Sequence, residues 1–370
     1  MQFRMYSELI YQMALSQIPK IGPVLAKNLL SYCGSPAAVF REKTHVLKKV
    51  PGIGLIIARE VAAFRDFERL QDEVEFIDKH NIKTQFFTDQ EYPYRLKANV
   101  DAPLMLFIRG NNSFESSRMI GVVGTRLANH YGTDLTQQLI KDLSPHGCTI
   151  VSGLAYGIDY EAHRAALKNE MPTIGILAHG LDRIYPFVHR NIAMKMIENK
   201  GSLVTEYLSK TIPDRENFPK RNRIVAGLVD ALIVVQSPKK GGSLITANLA
   251  FQYDREVMAF PGRVGESVSE GCHLLIKSNK AHLIESAADV IELMGYDDDP
   301  GKKDGQIKLL LDLSDLELKV VNQLKLHGTL GVDSLAVLTQ MNMGKLSQIL
   351  LQLEIADLVR TLPGKCYELK

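Results

Sequence analysis

Met119-Ile-Gly-Val-Val-Gly-Thr-Arg126 and Thr149-Ile-Val-Ser-Gly-Leu-Ala-Tyr-Gly-Ile-Asp159 decide the fold, because each runs from a short apolar segment into a glycine-containing turn. Further apolar runs of the same kind follow at residues 173–177, 202–204, 231–235 and 257–260, each leading into a helical pattern. Short runs that are apolar on both faces are typical of the buried strands of a parallel sheet. We therefore predict an α/β domain with a doubly wound parallel sheet.

Residues 1–75 are predicted to form a helical domain around two glycine turns. The turns are Ile18-Pro-Lys-Ile-Gly-Pro23 and Val50-Pro-Gly-Ile-Gly54, and each precedes an apolar-periodic stretch, which is typical of a helix-hairpin-helix (SAM-like) module. Such turns either present backbone N–H groups to a DNA phosphate or only pack within the module. Two short strands are expected within residues 81–110, so the sheet domain is assigned to residues 76–296.

Residues 307–370 show the pattern of a winged helix. The preceding residues, 297–306, are rich in charged residues, Pro and Gly, and are predicted to be a linker. Helical patterns over residues 316–326, 334–338 and 346–358 then precede a strand, a Pro-Gly turn and a second strand. Lys345 is the only cation on the helix that would enter a DNA groove. Binding of a partner protein is therefore favoured over recognition of DNA by this domain.

The composition narrows the classes of function. The 370 residues carry a net charge of +2, so binding of nucleic acid requires a local basic patch. No apolar run reaches the roughly 18 residues that cross a bilayer, and no signal peptide is recognisable, so we expect a cytoplasmic protein without membrane contact. The cysteines form no CxxC pair and the histidines show no ligand spacing, so no metal site is predicted.

The turns after the strands carry the candidate ligand site, because ligands bind at the carboxyl ends of parallel strands. These turns are rich in Gly, Ser, Thr and cations, which suits a phosphate-bearing ligand, although any single glycine is more simply part of a tight turn. The candidates are Gly124, Thr125 and Arg126 after the first strand, Ser152 and Gly153 after the second, and Lys240, Gly242 and Ser243 after the fifth. The turns after the third, fourth and sixth strands are expected to complete the rim of this site, that is, the set of turns at the carboxyl ends of the strands. Neither Gly-x-Gly-x-x-Gly nor a Walker A sequence follows a strand, so no dinucleotide cofactor and no hydrolysis of nucleoside triphosphates is predicted.

A segment between the fourth and fifth strands surrounds one aromatic ring with four cations. Its members are Arg215, Phe218, Lys220, Arg221 and Arg223. Sites for single-stranded DNA use this mixture, since cations follow the phosphates and an aromatic face stacks an unpaired base. Two alternatives stay open: a solvated helix start whose Phe218 packs inward, or a buried Arg221 or Arg223 that pairs with Glu206 or Asp159 and holds the loops.

One carboxylate and one imidazole stand at a spacing that could serve acid–base chemistry. Asp159 and His163 lie one helical turn apart, and Glu206 ends a strand. We favour a supporting role, in which Asp159 caps the helix and His163 hydrogen-bonds to a loop. No nucleophile elbow of the form Gly-x-Ser-x-Gly appears. We therefore predict no catalytic residue and no enzymatic activity.

Taken together, the motifs resemble the DprA/Smf family of DNA processing proteins. The resemblance covers nearly the whole chain in order and is carried by residues 92–96, 102–110, 124–126, 152–159, 218–227, 242–247 and 271–276. It implies an extended Rossmann domain between the helical module and the winged helix. It also implies sequence-independent binding of single-stranded DNA, no cofactor, a homodimer, and loading of the RecA recombinase during natural transformation.

The resemblance also assigns residues. It places the DNA contacts on Arg126, Arg215 and Phe218, with Lys220 and Lys240 as additions. It places the dimer contact on His273, Leu275 and Ile276, and of these Ile276 is expected to be exposed in the monomer.

The chain departs from the family pattern at two of the assigned positions. The family often has Lys at the position of Arg215 and Asn at that of His273. The first change keeps the charge, and the second leaves the detail of the dimer contact open.

The sequence leaves two alternative classes of function open. One is a nucleotide-binding enzyme or sensor on a related scaffold, such as a phosphoribohydrolase, although the stretch Lys240-Gly-Gly-Ser lacks the carboxylate of that pattern. The other is an adaptor that works through its winged helix. Binding of an oligonucleotide rather than a mononucleotide would separate the DNA-binding class from the first alternative.

Overall fold

A computed structural model describes residues 7–111, 114–296, 313–356 and 358–369. The predicted linker, residues 297–306, lies outside the described residues. Within the described ranges, no helix combines the length and apolar character that crossing a membrane requires.

One nine-stranded sheet organises the middle of the chain. Its strands are β1 Lys83–Phe86, β2 Met105–Gly110, β3 Met119–Val123, β4 Thr149–Ser152, β5 Thr173–Ile176, β6 Ser202–Thr205, β7 Ala231–Val234, β8 Glu256–Ala259 and β9 His282–Leu283. Their order is β1-β2-β6-β5-β4-β3-β7-β8-β9. Strands β3 to β9 pair in parallel, while β2 pairs antiparallel with β1 and β6. The predicted doubly wound sheet and the two short strands before it are confirmed; β9, only two residues long, was not predicted.

Helices cover both faces of this sheet. They are α7 Tyr94–Lys97, α8 His130–Leu143, α9 Ile158–Lys168, α10 Arg190–Glu198, α11 Asn217–Leu228, α12 Gly242–Gln252, α13 Glu270–Lys277 and α14 Ala287–Met294. Side chains alternate along a strand, so Ile120 and Val122 of β3 pack with α8, α9 and α14, whereas Met119 and Val123 pack with α11, α12 and α13. Both faces are buried, which is why the strands are apolar without interruption.

The N-terminal helices are α1 Glu8–Gln17, α2 Pro23–Cys33, α3 Pro36–Arg41, α4 Thr44–Leu47, α5 Leu55–Ala63 and α6 Phe67–Lys79. The two predicted glycine turns lead into α2 and α5, with Gly22 and Gly54 as their N-caps. Leu29 and Leu70 share one apolar core with Phe107 and Leu203 of the sheet. The boundary predicted after residue 75 falls inside α6; the division into domains otherwise stays a prediction.

A buried polar cluster fastens α6 to the turn after β6. The carboxylate of Glu73 accepts hydrogen bonds from the Ser209 N–H at 2.8 Å and the Ser209 hydroxyl at 2.6 Å. Arg69 donates to the same carboxylate at 2.8 Å and to the Ser209 carbonyl oxygen at 2.6 Å. Glu73 is almost fully buried, and a buried carboxylate with these partners fixes the position of the helical module on the sheet.

The C-terminal region is a winged helix, as predicted. It consists of α15 Asp315–His327, β10 Leu330–Gly331, α16 Val332–Thr339, α17 Met343–Ile355, β11 Val359–Leu362 and β12 Cys366–Leu369. The small sheet has the order β10-β12-β11. The third helix ends at Ile355, so its predicted extension to residue 358 is wrong: the chain turns there to enter the hairpin.

Candidate functional site

A cavity of about 310 Å³ opens at the carboxyl edge of the parallel strands. Its wall comes from the turns after β3, β4 and β7 and from the first residues of α11 and α12. Of the predicted residues, the cavity is lined by Gly124, Thr125, Arg126, Gly153, Phe218, Arg221, Gly242 and Ser243. The turns after β5, β6 and β8, which were expected to complete the rim, do not line it.

Arg126 and Phe218 meet at this cavity. The guanidinium carbon of Arg126 lies 5.3 Å from the centroid of the Phe218 ring, within the range of a cation–π contact. On another side, the ring of Tyr185 lies 6.1 Å from the same ring at an angle of 50°. Arg126 is exposed and Phe218 is half-buried, so a ligand can reach both a cation and an aromatic ring.

Helix α12 begins in the cavity wall. Gly241 is its N-cap, and both Gly242 and Ser243 of its first turn line the cavity. A helix N-terminus offers backbone N–H groups and a partial positive charge to an anion. A Cβ at Gly242 would meet nothing within 4 Å, so this glycine leaves open space beside the helix start. The hydroxyl of Ser243 donates to Ser237 Oγ at 2.8 Å and is therefore engaged within the protein.

Arg221 is a structural residue rather than a free cation. Its side chain is 4% exposed, and Nη1 donates to the carbonyl oxygens of Gly153 and Ile176. Burial lowers the pKa of Arg221 to about 10, and the nearby Asp159 opposes this shift. The guanidinium thus holds the turn after β4 against β5. The prediction that Arg221 follows a phosphate in solvent is corrected, and the alternative of a buried, loop-holding arginine is confirmed.

Arg223 is engaged in the same way on the other side of α11. It forms an ion pair with Glu206 and donates to the carbonyl oxygen of Asp101. Burial raises the pKa of Glu206, and the charge of Arg223 opposes this shift. The prediction that Arg223 is a free DNA-binding cation is therefore corrected, and its alternative pairing with Glu206 is confirmed.

The hydroxyl groups expected on the rim also serve the fold. Ser152 is fully buried, and its Oγ donates to the Val122 carbonyl oxygen at 2.6 Å, so it is corrected as a ligand-binding side chain. Thr125 is buried as well, and its Oγ1 accepts a hydrogen bond from the Leu127 N–H at 3.2 Å. Its backbone N–H donates to the Gln236 carbonyl oxygen at 2.7 Å. What these turns offer to a ligand is their shape and backbone.

Asp159 and His163 brace the sheet edge. The Asp159 carboxylate accepts hydrogen bonds from the N–H groups of Gly153 at 3.1 Å and Ala155 at 3.4 Å. It therefore fixes the turn before α9, and the prediction that it caps the helix is wrong. His163 Nδ1 lies 2.7 Å from Thr173 Oγ1, and that hydroxyl donates to the Ile150 carbonyl oxygen at 3.0 Å. His163 thus supports strands β4 and β5 rather than a loop.

Burial lowers the pKa of His163 to about 3, and the charges of His189 and Arg221 act in the same direction. The imidazole is therefore neutral at neutral pH. Within the described ranges, no three His, Cys, Asp or Glu side chains gather as potential metal ligands.

Besides Arg126, three predicted cations remain available to a polyanion. Arg215 precedes α11, Lys220 lies in its first turns, and Lys240 lies just before α12. All three are exposed, and none forms an ion pair with a described residue. None of them lines the cavity itself. They lie on the two segments that flank the cavity, and the edge of the sheet that carries these three side chains and Arg126 is called here the basic edge.

The predicted dimer residues divide between core and surface. Leu275 is 2% exposed and packs in the core of its own subunit beside Cys272, so its assignment to a dimer contact is corrected. His273 and Ile276 are half-buried. Leu274, which was not chosen, is 48% exposed and is the apolar side chain that α13 presents to solvent.

The sequence reasoning missed Tyr185. It lies in the turn after β5, in the stretch Tyr185-Pro-Phe187. Two aromatic residues beside a proline at the end of a rim turn were the available signal. Their proximity to Phe218 depends on the path of the turn, which no periodicity reveals.

Comparison with known proteins places the chain in a family. The family model described as DNA recombination-mediator protein A matches residues 83–295, a DprA winged helix domain matches residues 309–365, and a SAM-like helix-hairpin-helix tandem matches residues 13–63. Protein Smf of Synechocystis is 32% identical over 98% of this chain and 99% of its own length. DNA processing protein DprA of Bacillus subtilis is 40% identical over 58% of this chain and 72% of its own length.

Solved structures agree with this placement. DprA from Streptococcus pneumoniae superimposes with a TM-score of 0.66 at 30% identity, covering 78% of this chain and 98% of that protein. DprA from Helicobacter pylori, whose structure is described as showing a single-stranded DNA binding mode, gives a TM-score of 0.53 at 28% identity and covers 58% and 96%. The sheet, the helical module, the winged helix and the sequence matches together show that this chain belongs to the DprA/Smf family of DNA processing proteins.

Proposed function

We propose that the protein binds single-stranded DNA, without sequence preference, along the basic edge of the sheet. The observation that carries this proposal is the contact of Arg126 with the ring of Phe218 in the wall of the cavity, 5.3 Å apart. A base can stack on the aromatic face while the guanidinium and the start of α12 meet the adjoining phosphate. The related protein from Helicobacter pylori, described as binding single-stranded DNA, supports the same ligand here.

The arrangement suits a DNA strand of any base sequence. Exposed cations contact the backbone, which is the same in every strand, and every base has a face that can stack on Phe218. The polar side chains that could read base edges, Ser152, Ser243 and Arg221, are occupied by hydrogen bonds within the protein.

A titration tests this proposal directly. Fluorescence anisotropy of labelled homopolymer and mixed-sequence oligonucleotides should give similar affinities for all sequences, and mononucleotides should not compete at comparable concentration. A strong preference for one base, or tighter binding of a mononucleotide, would favour the nucleotide-binding enzyme or sensor instead.

We further propose that a homodimer of the protein loads a RecA-type recombinase onto the bound strand in the cytoplasm during natural transformation. Family membership supports this role, since the matching model is described as a recombination mediator. DNA contacts that are spread over several short segments suit this loading role, because each contact can be released separately as the recombinase binds the strand. Strand-exchange assays with a recombinase and a single-strand-binding competitor measure the loading, and size-exclusion chromatography with light scattering measures the dimer.

We also propose that the site carries out no chemistry on its ligand. The carboxylates and the imidazole that could act, Asp159, Glu206 and His163, are engaged by backbone N–H groups, by Arg223 and by Thr173. Incubation with nucleotides, NAD and single-stranded DNA, with and without magnesium, should leave all of them intact. Release of a base, phosphate or ribose that disappears in Glu206→Gln or Asp159→Asn would instead establish an enzyme.

A further inference from the structure

We propose that the single strand continues from the cavity onto a second stacking surface, formed by Tyr185 and Phe187 and called here the aromatic ridge. This inference rests on the proposed DNA binding and names a further part of that site. The residues of the ridge belong to the turn after β5, which does not line the cavity.

The ridge is exposed and continuous with the Phe218 site. Phe187 is 74% exposed and Tyr185 is 46% exposed. Exposed apolar side chains that stand together, unlike single ones, mark a site where a ligand or a partner binds. The ring of Tyr185 contacts the ring of Phe218 at 6.1 Å, so the exposed aromatic surface begins where the cavity ends. Phe187 follows Tyr185 by two residues and is the more exposed of the two rings.

Hydrogen bonds hold the ridge in place. The Tyr185 N–H donates to His179 Nε2 at 3.2 Å, while His179 Nδ1 lies 2.9 Å from the Gly180 carbonyl oxygen. A carbonyl oxygen only accepts, so Nδ1 carries the proton and Nε2 is the acceptor. Burial lowers the pKa of His179 and keeps the ring in this neutral form. Because the backbone that carries the ring is fixed, stacking of a base costs less conformational entropy.

A second histidine ties the far end of the ridge to the turn after β4. His189 Nδ1 lies 2.9 Å from the Leu154 carbonyl oxygen, which it contacts as a donor. The His189 ring packs against Tyr156 at 5.1 Å and Tyr160 at 4.6 Å. The ridge therefore rests on two rim turns and is not a free loop.

The charge beside the ridge fits a nucleic-acid strand. Arg190 follows Phe187 by three residues, is exposed, and has no acidic partner among the described residues. Arg215, on the segment that leads to Phe218, is exposed as well. Exposed aromatic rings on segments that also carry exposed, unpaired cations favour an unpaired strand over an apolar protein partner.

The absence of tryptophan from the sequence gives a direct test. Phe187→Trp places a single fluorophore on the ridge, and Phe251→Trp places one on a half-exposed position of α12 as a matched control. Addition of an oligonucleotide of about 20 residues, longer than the roughly 4–16 nucleotides of one typical site, should quench the Phe187→Trp emission and leave the control unchanged. Equal emission with and without DNA, at concentrations where anisotropy shows binding, would overturn the proposal.

Affinities give a second, independent measurement. Phe187→Ala should weaken binding of the long oligonucleotide roughly five-fold or more, and binding of an oligonucleotide of about 4 residues, which fills only the Phe218 site, should not change. Phe187→Tyr should restore the affinity and Phe187→Leu should not, because stacking needs a π face rather than an apolar one. Restoration by Leu would indicate an apolar protein contact and overturn the proposal.

The same variants distinguish a failure of the ridge from a failure of the proposed DNA binding. If the unaltered protein binds no oligonucleotide, the proposed function and the ridge fall together. If it binds, and Phe218→Ala weakens binding of both oligonucleotides while Phe187→Ala weakens neither, the proposed function stands and only the ridge is overturned.

Discussion

Arg255 donates a hydrogen bond from Nη1 to the carbonyl oxygen of Pro363 at 3.0 Å and so joins the sheet domain to the turn of the C-terminal hairpin. Its Nη2 donates to the carbonyl oxygens of Arg95 at 2.7 Å and Gly227 at 3.1 Å. In addition, the Gly364 N–H donates to the Asp254 carbonyl oxygen at 3.2 Å. Gly227 belongs to α11, the helix that also carries Phe218, so the winged helix and the cavity are linked through one helix.

Replacement of Arg255 by Met should lower the free energy of unfolding by about 2 kcal/mol, because three carbonyl oxygens, two of them in buried contacts, lose a charged donor. Denaturant titration measures this change. Arg263→Met, at an exposed arginine, serves as the control and should leave the stability unchanged. If both variants unfold at the same denaturant concentration as the parent, the contact with Pro363 does not stabilise the protein.

Arg126→Ala and Arg215→Ala should each weaken binding of single-stranded DNA and reduce its salt dependence. Each lost phosphate contact lowers the slope of log K against log salt by about 0.7 for a single strand. Anisotropy titrations over a range of salt concentrations measure the slope. Lys141→Ala, at an exposed lysine on α8, is the matched control. Slopes equal to that of the parent in both arginine variants would move the DNA site away from this edge of the sheet.

Arg221→Met should behave differently from Arg126→Ala, since it removes a buried charge that faces Asp159. We expect a loss of about 3 kcal/mol in the free energy of unfolding, without the lower salt slope that a lost phosphate contact would give. Adding Asp159→Asn to Arg221→Met should recover part of the stability, because the carboxylate is then no longer a lone buried charge. A lower salt slope in Arg221→Met, with normal stability, would assign Arg221 to the DNA instead.

The stability of the protein should decline as the pH falls below about 6.5. Burial holds the pKa of His163 at about 3 in the folded state, so between these two values the unfolded chain binds a proton that the folded chain does not. The free energy of unfolding therefore decreases on acidification by up to about 1.4 kcal/mol per pH unit from this group. Denaturant titrations from neutral pH to pH of about 4.5 should show a smaller decline in His163→Gln. An identical decline in both proteins would contradict this.

Leu274→Glu should convert a homodimer into a folded monomer, whereas Leu275→Glu should unfold the protein. Leu274 is 48% exposed on α13, while Leu275 is 2% exposed in the core, so only the first change leaves the subunit intact. Light scattering measures the mass and circular dichroism the fold. A dimer that persists in Leu274→Glu would place the subunit contact elsewhere.

The local pattern of the sequence determined the sheet, because strands buried on both faces must be short and apolar. It also determined that Arg126 and Phe218 stand at turns and helix starts, where a parallel sheet exposes its ligand edge. The inward position of Arg221 could have been found in the same way. It lies three and four residues before Ile224 and Val225, so it shares their buried face of α11.

Only the tertiary structure decided how these pieces meet. Tyr185 contacts Phe218, and Arg255 reaches Pro363, across long stretches of chain whose relative paths depend on the packing of whole elements rather than on local propensity. The pairing of Arg223 with Glu206 has the same origin. A helical period indicates which side of a helix is buried. The element that packs against that side is determined by the strand order of the sheet, and the strand order depends on the packing of all the elements at once.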